Sequence, residues 1–302
     1  VENFVNIRDV KSYFRFSVLI SFFLSFQALA NTPNHVYQAV DNLANNITEI
    51  RSHLNVENNA RQPGVQIAKT PLHAYTKGLE VYEKVIRFKE SRNISTKPLP
   101  ILPNKNVLPA DVLQLVKNIS IELKQVSNQL GVKYTESAPL PSGKTPSDVY
   151  ENMWRTSYLM DGLTGAISPR YVYRNTLRIE KALDKIAEKM RVSVAVESPA
   201  LPQNKKPLDA NIEGFKVLYK LVALEKKLNM TPLRVSGFPA GNISPSDVYD
   251  TTNNILAELT RINVNMSLPS APNATVELDS VTPSNVVQQF KKIQQKIDIL
   301  IN

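Results

Sequence analysis

One helix-opening phrase recurs eight times along this chain, starting at Thr32, Thr70, Leu108, Thr145, Ser168, Lys206, Ser244 and Thr282, each followed at once by a proline. The steps between openings are 38, 38, 37, 23, 38, 38 and 38 residues. A fixed period of this length marks a repeat architecture, in which one supersecondary unit buries its apolar face only by packing on its neighbours. The single short step falls in the middle, so openings one to four and five to eight are related by shifts of 136, 136, 136 and 137 residues. This reads as tandem duplication of a four-unit block.

Each position of the phrase has a physical role. Ser or Thr in six of the eight copies places a hydroxyl where it accepts a bond from a free backbone donor of the first turn, and proline suits the first helical position because its missing N–H is not needed there. Three residues after the cap stand His35, His73, Asp111, Asp148, Tyr171, Asp209, Asp247 and Asn285, where a polar side chain can return a bond to the cap. Leu108 and Lys206 break the cap, so their helices are expected to start less firmly.

After each opening, apolar residues recur at alternating steps of four and three, as in Val112, Val116, Ile119, Leu123, Val126 and Leu130, or Val248, Thr252, Ile255, Leu259, Ile262 and Met266. An average step of 3.5 residues is the seam of near-parallel packed helices. The fold class is therefore all-α: eight amphipathic helices in two tandem-duplicated four-helix halves, 31–165 and 166–302, joined by long Pro-containing connectors. A connector of 13 residues reaches roughly 40 Å when extended, while a helix of about 23 residues is roughly 35 Å long. Each connector can thus return the chain to the end where the helix began, which makes successive helices parallel; an up-and-down bundle with generous loops is the alternative. The short link near Gly162 to Ile167 is expected to form an antiparallel hairpin between the halves. Mid-helix glycines at the matched positions Gly78 and Gly214 point to close approach by a neighbour, because glycine there costs about 1 kcal/mol against alanine.

Residues 1–30 read as a signal peptide. Lys11 and Arg15 precede an apolar run from Phe16 to Phe26, and Ala28-Leu29-Ala30 is a small-residue cleavage site. The run is short of the 20 or so apolar residues of a membrane span, and the rest of the chain offers no transmembrane segment. A periplasmic or secreted location follows, in keeping with the absence of cysteine. The net charge of +9 falls by only one when residues 1–30 are removed; such an excess suits anionic envelope material, but it is spread along the helices without a basic run and reads first as a solvated polar face, and no nucleic-acid motif appears.

The catalytic inventory is thin. The three histidines His35, His53 and His73 lie in the first quarter, and the first and last of the three read as helix-start residues. No metal-ligand spacing or phosphate-cradling glycine loop is present, so no catalytic residue, metal or cofactor is assigned. Tyr37, Tyr75, Tyr150, Tyr173 and Tyr249 share one repeat position, where they widen the core face with the hydroxyl toward the surface. The densest candidate for ligand binding is the junction of the halves, where Trp154, Arg155, Tyr158, Arg170, Tyr171 and Arg174 gather the residue types enriched at binding hot spots. Large rings filling the space of the missing connector account for the same cluster. The function expected from all this is a noncatalytic, exported helical-repeat binding or scaffold protein of the bacterial envelope. Its partner would be a protein, a peptide or an anionic envelope component. A periplasmic sensory domain working with a membrane partner, or a carboxylate- or metal-dependent enzyme, are the alternatives.

Overall fold

The computed structural model of the chain describes residues 31–57, 61–165, 167–270 and 274–302, and the segment read as a signal peptide lies outside them. Among these residues there are eight α-helices and no strand: α1 (Pro33–His53), α2 (Pro71–Glu90), α3 (Pro109–Leu130), α4 (Pro146–Thr164), α5 (Pro169–Met190), α6 (Pro207–Lys227), α7 (Pro245–Asn265) and α8 (Pro283–Ile301). Every helix starts at its proline.

In seven of the eight starts, the side chain three residues after the cap accepts the cap's backbone N–H. The acceptors are His35 at 3.2 Å, His73 at 3.2 Å, Asp111 at 2.8 Å, Asp148 at 2.8 Å, Asp209 at 2.8 Å, Asp247 at 2.7 Å and Asn285 at 2.9 Å. Leu108 and Lys206 have no acceptor of their own, yet their helices begin with the same extended cap backbone. The returning carboxylate carries those two starts, and the bond from the Leu108 N–H pulls Asp111 below its ordinary pKa. Only α5, with Tyr171 at this place, lacks the returning bond.

All four helices of each half point the same way. Pro33, Pro71, Pro109 and Pro146 meet around one small apolar hollow with Val36, Ala74, Val112 and Val149, and the four prolines of the second half do the same with Val172, Ala210, Val248 and Val286. Helix starts thus converge at one end of each bundle. The connectors run back outside. Along α1, Asn46, Asn42 and Asn34 accept the backbone N–H groups of Thr135, Ala138 and Lys144 at 2.9, 2.8 and 2.8 Å, so the third connector descends antiparallel to the helix. The first connector of each half is tied to the fourth helix by matching bonds, Lys69 N–H to Ser147 Oγ at 3.0 Å and Lys205 N–H to Ser284 Oγ at 3.3 Å. These side chains satisfy backbone groups that would otherwise lie unpaired against a helix.

Both bundles share one neighbour pattern. The first helix packs on the third and fourth, and so does the second, giving the order α1, α3, α2, α4 around one bundle and α5, α7, α6, α8 around the other. The apolar seam residues fill two cores; Val40, Leu43, Ile47 and Ile50 in one and Leu221, Leu259, Ile262 and Phe290 in the other are fully buried. Each such side chain contributes roughly 1.5–3 kcal/mol of burial. The glycines mark close approaches: a Cβ on Gly78 would stand 2.8 Å from Leu115 Cδ2, and one on Gly214 would stand 2.7 Å from Thr251 Cγ2.

The expected hairpin at the short link is absent, because α4 and α5 make no packing contact among the described residues. The chain turns at Gly165, whose φ of +75° favours glycine, and passes on without folding α5 against α4. The bundles meet instead through α2 and α7. Contacts pair His73 with Glu258 and Glu83 with Tyr249, so the two helices are antiparallel, and with them the two bundles.

Candidate functional site

The surface between the bundles is polar and largely buried. From the first bundle α2 supplies His73, Lys77, Glu80 and Lys84, and α4 supplies Tyr150, Trp154, Tyr158 and Asp161; α7 answers with Asp247, Asp250, Asn253, Asn254 and Glu258. Lys77 is fully buried. Its Nζ lies 2.7 Å from Glu80 Oε2, contacts Asp250 across the seam, and sits 4.7 Å from the centre of the Trp154 ring. Burial opposes its charge, but Asp250 and Glu80 outweigh that cost and hold Lys77 above its ordinary pKa. Glu80 is likewise pulled down by Lys77 and Lys84 against its own burial. Lys84 bonds Ser157 Oγ at 2.6 Å and Asp161 Oδ1 at 2.6 Å, and Asn253 of α7 donates to Glu80 at 3.2 Å. Every charge at this place has a partner of opposite sign, as burial in a low dielectric demands.

Toward the start of α7, Tyr158 donates to Asp247 Oδ1 at 3.0 Å, Arg61 donates to Asp247 Oδ2 at 2.6 Å, and the same carboxylate caps the helix. Tyr150 donates to Asp250, Asn254 donates to Tyr150 Oη at 2.9 Å, and Lys69 reaches Asn254 Oδ1 at 2.7 Å. Burial pushes Lys69 down to about 8 and Tyr150 well up. At the other end His73 accepts the Thr70 N–H on Nδ1, which leaves the proton on Nε2, 2.8 Å from Glu258 Oε1. Burial keeps this imidazole below its ordinary pKa, hence neutral. Glu258 is also held by Arg261 and hydrogen-bonded to Glu225. Burial, then the bond to Glu258, pushes Glu225 up to about 8, while its bond to His73 carries Glu258 downward against burial. The two carboxyls share one proton at neutral pH. In the first bundle the matching positions are Lys89, Glu122 and Gln125, where Lys89 pairs directly with Glu122.

Glu225 thus favours the folded state in its protonated form, a contribution present at low pH and lost as pH rises toward its raised pKa. Glu225→Gln keeps a donor for Glu258 and an acceptor for the Leu233 N–H that Glu225 now takes at 2.6 Å. The stability difference between the native protein and this variant, followed by urea unfolding, is expected to move steadily against the native protein between about pH 5 and 8. A difference independent of pH would show that Glu225 ionises normally.

The six residues read as a junction cluster are placed in four surroundings. Trp154 and Tyr158 lie in the seam, their rings 5.9 Å apart, and Trp154 is only 5% exposed. It borders a cleft of about 240 Å³ with Lys69, Phe215, Leu233, Asp250 and Asn254. Arg155 turns away toward α1, bonding Asp41 at 3.1 Å. Arg170 holds the last connector through the carbonyls of Val276 and Leu278 at 2.8 and 2.6 Å. Tyr171 has the guanidinium groups of Arg87 and Arg174 over its ring, at 5.4 and 5.0 Å from its centre. Arg174 crosses the seam to Glu83 at 2.8 Å, and Tyr249 donates to the other oxygen of Glu83 at 2.8 Å.

Arg174 also lines a second cleft, of about 310 Å³, with Arg178, Thr76, Glu80, Tyr249 and Asn253. Arg178 differs from its neighbours: its only side-chain bond among the described residues is one of 3.4 Å to Asn175, and its Nε is buried without a partner. Burial, with Arg174 beside it, lowers its pKa. The repeat offers no precedent, since the matching positions of the first bundle are Gln38 and Asn42.

Sequence reasoning treated α2 and α7 as ordinary amphipathic helices with solvated polar faces and so missed Lys77, Glu80, Lys84, Asp250 and Glu258. It placed His73 as a helix-start residue, which it is, but not as a bridge between bundles. The tyrosines at the shared repeat position include Tyr150 and Tyr249, whose hydroxyls reach across the seam and not to the surface. Among the described residues no group of three or more His, Asp or Glu side chains is arranged to hold a metal ion, and no helix is long and apolar enough to cross a membrane. No protein-family model, curated protein or solved structure matches the chain.

Proposed function

We propose that the protein is a noncatalytic binding or scaffold protein exported to the bacterial envelope, and that it takes an anionic ligand in the cleft between its bundles. The observation that carries this reading is the pair Arg174 and Arg178 at the cleft wall, the second without a carboxylate partner among the described residues. A half-buried guanidinium lacking a counter-ion is poised for a carboxylate or phosphate group, whose two oxygens match its fork of donors. Apart from Lys69, which bonds Asn254, the buried acids and bases elsewhere in the seam are paired with one another, which favours binding over acid-base catalysis. Export rests on the N-terminal sequence alone.

Inorganic phosphate is the simplest probe. Thermal unfolding at constant ionic strength is expected to shift upward with phosphate in the native protein and to be insensitive to it in Arg178→Met, a variant that keeps much of the side chain's apolar packing. Equal shifts in both would place anion binding elsewhere. No shift in either would remove the observation's functional meaning and leave the scaffold role alone.

A further inference from the structure

The seam joins unlike faces. In each bundle the second and fourth helices form one side and the first and third the opposite side. The first bundle gives its α2/α4 face to the seam and the second gives its α5/α7 face. Among the described residues no helix of the other bundle packs on α1/α3, which the third connector flanks along α1, or on α6/α8; these are the repeat counterparts of the two faces in contact.

The side chains on those free faces differ from their counterparts in one direction. Ala257, which joins the apolar core of the first bundle, corresponds to Ile121, which is 51% exposed. Thr76 corresponds to Ile212, 41% exposed, and Glu83 corresponds to Tyr219, 61% exposed. With Leu208 and Val264, these are the large apolar side chains that the described helices expose. Between α1 and α3 runs a groove of about 550 Å³, lined by Gln38, Asn42, Leu113, Lys117 and Ile121 and walled on one side by Tyr134 and Glu136 of the third connector. On the second bundle the same positions are Arg174, Arg178, Tyr249, Asn253 and Ala257, against which α2 lies. The ion pair that braces the docked face, Lys84 with Asp161, also has its counterpart on the free one, Lys220 with Asp298.

We propose that the α6/α8 face of one molecule docks in the α1/α3 groove of a second copy, repeating between chains the antiparallel seam within the chain. Transferred from Glu83–Tyr249 and Glu80–Asn253, the register sets Tyr219 against Leu113 and Lys216 against Lys117. The contact is heterologous, so it does not close on itself and copies add head to tail. Exposed Ile121, Ile212 and Tyr219 supply the apolar burial. The facing lysines make association stronger as salt screens them.

Light scattering on purified protein at rising concentration is expected to show an average mass that climbs past the dimer, more steeply at higher salt. Ile121→Glu and Tyr219→Glu alter exposed positions on opposite faces, and each alone is expected to remain monomeric with an unchanged helical spectrum. Mixed, they restore one good contact and form a heterodimer that grows no further. In this cysteine-free chain, oxidation of mixed Lys117→Cys and Lys216→Cys molecules is expected to link the two variants to each other and neither to itself. A native protein that stays monomeric, or stops at a dimer, would overturn the proposal, as would a mixture of the two glutamate variants that fails to associate.

Discussion

Lys77→Ala is expected to destabilise the protein by about 3–5 kcal/mol, because it leaves Asp250 buried at the seam without its cation and Glu80 with Lys84 alone. Truncation also withdraws the ammonium stacked over Trp154 and opens a void beside a packed ring. The loss belongs to the contact between bundles, so urea unfolding should divide into two transitions, the first reporting separation of the bundles through Trp154 fluorescence. Lys216, on the counterpart face of α6, provides the control: it is exposed and, among the described residues, pairs with Glu213 on its own helix, and Lys216→Ala is expected to change stability by no more than about 0.5 kcal/mol. Equal effects at the two lysines would mean that the seam is solvated and the bundles are not docked as described.

Leu259→Asp is expected to have a still larger effect and to abolish cooperative folding of the second bundle. Leu259 is fully buried among Leu221, Ile262 and Phe290. Loss of a buried leucine alone costs about 2–5 kcal/mol, and an unpaired carboxylate in its place adds several more. Against a total stability of about 5–15 kcal/mol for a typical native protein, the sum leaves little folded protein. Leu123→Asp, at the same position of the first bundle, is expected to do the same there, whereas Lys124→Asp on the solvated side should melt within a few degrees of the native protein. Circular dichroism distinguishes these outcomes, and tolerance of aspartate at Leu123 or Leu259 would show that the apolar seam is misassigned.

The helices and their starts were legible because each depends on local chemistry: a cap, a proline and a returning side chain at fixed spacing. Helix direction was half legible, since a connector long enough to return is also long enough to wander. What decides it is a set of side-chain bonds from Asn34, Asn42 and Asn46 to a connector about 90 to 110 residues away, which no local pattern reveals. The docking of the bundles was hidden for a related reason. Lys77, Glu80 and Lys84 on α2 have the spacing of any solvated helix face, and only the approach of α7 turns them into a buried network. The one trace in the sequence is the mismatch between repeat counterparts, Lys77 against Glu213 and Asp250 against Gln114. Trp154 lies at the seam between the bundles, but nearness in sequence misled: Arg155 and Arg174 leave their helices in directions that separate them from Trp154.

Parallel helices within each bundle are the feature from which the connectors, the converging prolines and the antiparallel seam all follow, and spin-label distances test it directly because the chain has no cysteine to remove. Asn31 and Ala110 stand exposed at the starts of the neighbouring helices α1 and α3, Ser52 and Asn128 at their ends. With packed axes about 8–10 Å apart and helices about 30 Å long, labels at Asn31 and Ala110, and likewise at Ser52 and Asn128, should couple at short range, while Asn31 with Asn128 should lie roughly 30 Å or more apart. Close approach of Asn31 to Asn128, with the start-to-start pair far apart, would contradict the parallel bundle and the docking built on it.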